Sequence, residues 1–259
     1  MTDSVLSVLV DGREPDTDAL LPFTLANDGH FTAMQVRDRA TRGIALHLRR
    51  MAAAHSRLYG TEIDAERVRS LMRKAVLGHP DAYLRVSVTE TAPGRPRILT
   101  VVRPPIEPDP RPVALVPVAS PRVLPEIKHE GTFHQIQLAR DAQAEGFDDA
   151  LLVDPAGRIG ESTIANIAFT RGSEVFWPDG PALEGITWQL LEPALGRYGF
   201  ASRRAEVSLA DLSGFPAAVL VNSIGVTPVA RIGGREFTAS AEAATTLGQI
   251  YRQIPADPI

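Results

Sequence analysis

The sequence predicts a mixed α/β protein in two parts, a smaller N-terminal domain followed by a larger C-terminal one. Short apolar segments of strand length recur along the chain, separated by turn residues and by segments of helical spacing. Eight of the 21 prolines fall between Pro104 and Pro125, densest in PPIEPDPRP, and such a stretch is extended and stiff, as an interdomain connection would be. The 259 residues, 44 % of them hydrophobic, suffice for one large core or two small ones. The expected boundaries are 1–103 for the small domain, 104–112 for the Pro-rich linker and 113–259 for the large domain.

In the first domain, Ser7–Val10 and His30–Val36 are expected strands with turn residues between them. Ile44, Leu48, Met51, His55 and Leu58 step by four, three, four and three, which makes one buried stripe on a helix over 44–59, ended by Gly60. A second helix is expected over 64–77, ended by GHP. Tyr83–Thr89 alternates: Leu84, Val86 and Val88 face one way, and Tyr83, Arg85, Ser87 and Thr89 the other. That polar face suits either solvent or a ligand cleft. Arg97–Val102 is the last strand before the linker.

In the second domain, strands are expected at 113–118, 150–153, 164–170, 174–177 and 218–221. Helices are expected at 132–145, from about Ile186, and at 239–253.

Composition excludes several chemistries. There is no cysteine, so disulfides, thiol nucleophiles and Cys-ligated zinc are ruled out. The net charge of −4 argues against nucleic-acid binding. No apolar run reaches membrane-helix length, and MTDSVLSVLVDGRE has acid where a signal peptide needs base, so a cytoplasmic enzyme or ligand-binding protein is expected. GxxxxGK[ST] and GxSxG are absent. His129-Glu-Gly-Thr-Phe-His134 is one residue too long for HExxH and puts its histidines on opposite sides of a helix, so no metal site is expected there.

Of the 27 basic residues, only Lys74 and Lys128 are lysine. Arginine stays protonated, whereas lysine can lose its proton and attack a carbonyl to form a Schiff base. Lys74, near the end of the second helix beside Arg73, reads as a last-turn cation complementing the helix dipole. Lys128 is either a chance survivor or a residue that arginine cannot replace.

The order Arg50, Lys128, Glu161, LEGIT (183–187) and NSIGVTPV (222–229) resembles the fold-type IV pyridoxal-phosphate (PLP) enzymes, from about Val8 to Gly234. That family includes branched-chain and D-amino-acid aminotransferases, (R)-amine transaminases and aminodeoxychorismate lyase. The similarity is strongest in EIKHEGTFHQIQLARDAQAEGFDDALLVDPAGRIGESTIANIAF: a lysine, an A-x-x-x-G helix end, a buried strand, a D-x-x-G turn and an E-x-x-x-x-N strand.

The resemblance implies a catalytic Lys128 that holds PLP as a Schiff base and moves a proton once substrate releases it. It implies that Glu161 pairs with the pyridine nitrogen and that Leu183 supports the ring. Arg50, in a His47-x-x-Arg50 pattern, would hold the phosphate, with the N–H groups of Ile186 and Thr187 and the Asn222–Ser223 loop. Tyr83 and Arg85 match a Tyr-x-Arg strand that contributes to the substrate pocket in branched-chain aminotransferases, which favours the cleft reading of that face. Departures from the family pattern are Glu184 and Trp188, where Pro and Arg are common, and Phe133, where branched-chain enzymes place a tyrosine against the ring hydroxyl. The activity implied is transamination between an amino acid or primary amine and a keto acid, in a homodimer. The alternatives are an aminodeoxychorismate-type lyase releasing pyruvate and a PLP-binding homologue without turnover.

Overall fold

The computed structural model describes residues 4–259, which form two compact units. The first comprises the described residues up to Ile106, with Ile127–Gly131 and Pro255–Ile259, and the second Glu107–Glu126 and Thr132–Ile254.

In the first unit the elements in chain order are β1 (Ser7–Val10), α1 (Thr17–Leu25), β2 (His30–Val36), β3 (Ala40–Thr41), α2 (Ile44–Tyr59), α3 (Ala65–Ala75), β4 (Ala82–Glu90) and β5 (Pro96–Arg103). The sheet is antiparallel with order β1-β5-β4-β2. Its alternation is the one expected: Leu84, Val86 and Val88 are fully buried with Met34, Val36, Ile98 and Val102. They pack against Ile44 and Met51 of α2 and Val68 and Met72 of α3. Asp64 caps α3 by accepting from the N–H groups of Glu66 and Arg67. The helix α1 falls where only turn residues were expected. It buries no residue and contains Pro22, so no apolar stripe marks it; Asp16 caps it through the Ala19 N–H.

The second unit contains β6 (Val113–Ala119), α4 (Phe133–Ala144), β7 (Asp149–Val153), β8 (Ile159–Ser162), β9 (Asn166–Arg171), β10 (Glu174–Pro178), α5 (Ile186–Ala194), β11 (Ala201–Ala205), β12 (Ala217–Val221), β13 (Val226–Ile232), β14 (Arg235–Glu236) and α6 (Ser240–Gln253). The chain ends on β15 (Asp257–Pro258), which pairs with β3 in the first unit. The sheet of the second unit runs β11-β10-β9-β12-β13-β6-β7-β8, and β8 also pairs with β9 at Glu161↔Asn166. That last pairing closes six strands, β9-β12-β13-β6-β7-β8, into a ring. Phe169, Phe176 and Phe215 fill one side of the sheet, and α5 and α6 cover another around Trp177 and Leu247. The strands β11 and β13 were not anticipated. β11, ASRRA, is a parallel edge strand next to β10 and has no buried residue to mark it.

The passage between units at Ile106 falls in the Pro-rich stretch, but the second unit is not continuous. Residues 127–131, which carry Lys128, belong to the first unit. The Phe31 N–H donates to the Lys128 carbonyl at 2.8 Å and the Glu130 N–H to the Gly29 carbonyl at 2.7 Å, so this segment extends the ladder beside β2. Gly29 lies close against β4, where a Cβ would stand 2.6 Å from the Val88 carbonyl oxygen, and 3.3 Å from Glu130 Cγ on this segment.

Candidate active site

The residues expected to be functional form two groups, one in each unit. In the first unit Arg50 projects from α2 and is half-buried, whereas Arg49 is exposed. Arg50 Nη2 donates to Thr32 Oγ1 at 2.7 Å, and the same hydroxyl lies 2.6 Å from His47 Nδ1. A guanidinium only donates, so the Thr32 oxygen accepts from Arg50, and the His47 tautomer sets which partner donates in the second contact. Burial, helped by the charge of Arg50, lowers the His47 pKa well below its ordinary value and keeps the ring neutral. The His47-x-x-Arg50 pattern is therefore a positioning device: one turn of helix sets both residues against one hydroxyl on β2. Thr32 was not singled out from sequence, although it is a polar residue in the buried phase of β2 with Met34 and Val36.

The second cluster in this unit surrounds Lys128. Its Nζ lies 4.8 Å from the centroid of the Phe31 ring, and the Arg85 guanidinium stacks 3.5 Å from the same centroid. Phe31, Ala33 and Gln35 are paired with Ser87, Arg85 and Tyr83, so the polar face of β4 adjoins the β2 face that carries Phe31. Arg85 forms an ion pair with Glu130, two residues after Lys128, and its Nε donates to Ser87 Oγ at 3.4 Å. Lys128, Tyr83 and Arg85 thus belong to one unit and one sheet. Phe31 and Glu130 join them through tertiary contacts that carry no sequence signal.

In the second unit Glu161 sits on β8 at the point where the ring of strands closes, 4 % exposed. Its Oε1 accepts from the Leu183 N–H at 3.1 Å and from Arg122 Nη1 at 3.1 Å. Across the pair, Asn166 Nδ2 donates to the Leu183 carbonyl at 2.6 Å, and Asn166 Oδ1 accepts from the Gly185 N–H at 3.1 Å. The E-x-x-x-x-N spacing therefore places two side chains that together hold the loop leading into α5. Residue 185 must be glycine, because a Cβ there would stand 2.1 Å from Asn166 Oδ1.

The helix α5 starts at Ile186 with no side-chain cap and no acidic residue in its first turn, and Leu183, Ile186 and Thr187 are all buried. Thr187 Oγ1 donates to the Asn222 carbonyl at 2.7 Å, which joins the start of α5 to the Asn222–Ser223 turn. Asn222 Oδ1 accepts from the N–H groups of Ile224 and Gly225, so the carbonyl end of its side chain shapes that turn.

The family departures have local explanations. Arg204 pairs with Glu184 and Glu192 and stacks 4.7 Å above the Trp188 ring. Arg204 of β11 thus brings a cation beside position 188. Phe133, at the start of α4, is 72 % exposed.

The family model for amino-transferase class IV matches residues 29–232. The chain belongs to this family. The branched-chain-amino-acid aminotransferase of Pseudomonas aeruginosa is 28 % identical over 126 residues, covering 46 % of this chain. The match spans 40 % of that relative, less than half its length. A branched-chain aminotransferase from the archaeon Thermoproteus uzoniensis superposes with a TM-score of 0.84 at 20 % identity, covering 96 % of this chain and 94 % of that one. A fold IV-transaminase from Curtobacterium pusillum gives 0.80 at 20 % identity, covering 89 % and 88 %. The fold is the fold-type IV architecture.

The class IV family is PLP-dependent, and the chemistry of the donors here suits that cofactor. The start of α5 offers N–H groups without a competing carboxylate in its first turn, as a phosphate requires. Glu161 is a buried carboxylate of the kind that pairs with a protonated ring nitrogen. Arg50 supplies a guanidinium fixed from behind by Thr32.

Proposed function

We propose that the protein is a PLP-dependent aminotransferase that moves an amino group between an amino acid or primary amine and a keto acid in two half-reactions. The observation that carries this reading is the environment of Glu161, a buried carboxylate shared by the Leu183 N–H and Arg122 beside the uncapped start of α5. PLP, when bound, supplies an electron sink for the bond broken at the substrate α-carbon.

The residues of the chain do the rest. Lys128 anchors the cofactor covalently through Nζ and carries the proton between substrate and cofactor. Its backbone is fixed by the ladder contact to Phe31, so its motion is confined to the side chain. Glu161, anionic beside Arg122, keeps the ring nitrogen protonated. Arg50, the Ile186 and Thr187 N–H groups and the Asn222–Ser223 turn hold the phosphate, and Leu183 supports the ring face. Tyr83 and Arg85 orient the substrate. The homodimer implied by the resemblance belongs to the same reading and is checked by sedimentation.

The test is to add amino acids and (R)- and (S)-amines to the PLP-loaded protein, follow the loss of the cofactor's visible band, and restore it with keto acids. Band loss restored by a keto acid is the expected result. Pyruvate released without an acceptor would assign a lyase instead, and no response to any amine would leave a binding protein.

A further inference from the structure

We propose that Glu130 is a specificity-determining residue: by holding the Arg85 guanidinium beside Lys128, it restricts the substrates to those with a single carboxylate or none. This inference rests on the assignment of Lys128 as the reacting amine.

Arg85 is a cation placed to meet a second carboxylate near Lys128, since both residues contact the Phe31 ring. Two of its three nitrogens, however, are already engaged. Glu130 takes Nη2 in an ion pair, Ser87 takes Nε at 3.4 Å, and Phe31 covers the guanidinium plane. The pair is partly sequestered, with the Arg85 and Glu130 side chains 37 % and 18 % exposed. The Glu130 Oε1 atom is buried and accepts no hydrogen bond. An added carboxylate would therefore compete with Glu130 for Arg85 and would meet an acceptor oxygen that also lacks a donor. Both effects oppose a dianionic substrate. A substrate with an uncharged side chain meets neither penalty. The backbone contact of Glu130 N–H to Gly29 keeps the carboxylate on this face, so the neutralisation is built into the ladder that positions Lys128.

The test uses two unreactive probes, propionate and succinate, titrated calorimetrically into the full-length PLP-loaded wild type and Glu130→Gln. Kinetic ratios for pyruvate and 2-oxoglutarate as acceptors run beside them. Glu130→Gln frees the guanidinium while keeping size, and the preference for succinate over propionate should rise by about tenfold or more, with the acceptor ratio moving the same way. In an Arg85→Gln background the same change at Glu130 should move neither ratio by more than about twofold, because no cation remains to be unmasked. An unchanged ratio in Glu130→Gln, an equal shift in the Arg85→Gln background, or no binding of either probe to either protein would overturn the proposal. Absence of any half-reaction alongside a shifted probe ratio would instead count against transamination.

Discussion

Arg122 Nη1 donates to Glu161 Oε1 at 3.1 Å, and the two side chains are only 7 % and 5 % exposed. A carboxylate this deeply buried is stable as an anion only with a partner, and Arg122 supplies one from outside every pattern visible in the sequence. Removing either charge takes a buried ionic partner from the other. Arg122→Gln should cost about 3–5 kcal/mol of stability, whereas Arg122→Gln with Glu161→Gln should cost less than the two single changes added together. Denaturant titrations of the three variants measure this, and strict additivity would show that the pair does not interact.

Glu161→Gln also separates turnover from binding. The amide keeps size and the Leu183 contact but loses the anion, so PLP should still bind while the half-reaction with an amine slows by orders of magnitude. Stopped-flow traces of the visible band give both rates, and a wild-type rate would remove Glu161 from the mechanism.

Lys128→Ala and Lys128→Arg should both lose the adduct trapped by borohydride, since a guanidinium supplies no free amine. Lys74→Ala should retain it. Peptide mass spectrometry after reduction locates the pyridoxyl group, and finding it on Lys74 would refute the assignment.

Arg50→Ala should weaken PLP affinity by roughly ten- to a hundredfold, the worth of a charge-assisted contact of about 1.5–3 kcal/mol. Arg49→Ala, on the exposed side of α2, should change it little. Thr32→Val should produce an intermediate loss, because it removes the hydroxyl that positions Arg50 but keeps the guanidinium. Equal effects of Arg49 and Arg50 would exclude both from the phosphate.

Acid should destabilise the first unit through its buried histidines. Burial, with the charges of His55 and Arg50, pushes the His30 pKa down to about 3, and burial also lowers His47 and His55, the latter against an opposing pull from Glu90. His30 Nε2 lies 3.3 Å from His55 Nδ1, and Tyr59 packs on both rings. In the unfolded chain these histidines take up protons near pH 6.5, while the folded ones take them up only at lower pH. Stability is therefore complete above that pH and falls with acidification, for His30 across the interval down to about pH 3, at about 1.4 kcal/mol per pH unit. Urea titrations at pH 7, 5.5 and 4.5 should show this slope in the wild type and a shallower one in His30→Gln. Identical slopes would mean that His30 is protonated in the fold.

The sequence by itself determined the α/β class, the stripe of α2, the alternation of β4 and the motif carrying Lys128, Glu161 and the start of α5. Each of these is local, written in the period of a strand or helix or in a short spacing that closes one turn. Arg50 could be separated from Arg49 because the family resemblance picks out the arginine of His47-x-x-Arg50, and helix geometry sets it beside the buried stripe. Only the tertiary structure decided that residues 127–131 extend the β2 sheet, that Arg122 shares Glu161, that Thr32 aims Arg50, and that Glu130 occupies Arg85. These contacts join side chains from distant segments, and an ion pair or a hydrogen bond leaves no periodic trace in either segment. The closing pair Glu161↔Asn166 lies between the two cases. Its spacing is legible in the sequence, but the loop it grips, Leu183 to Gly185, becomes its partner only once the ring of strands has closed.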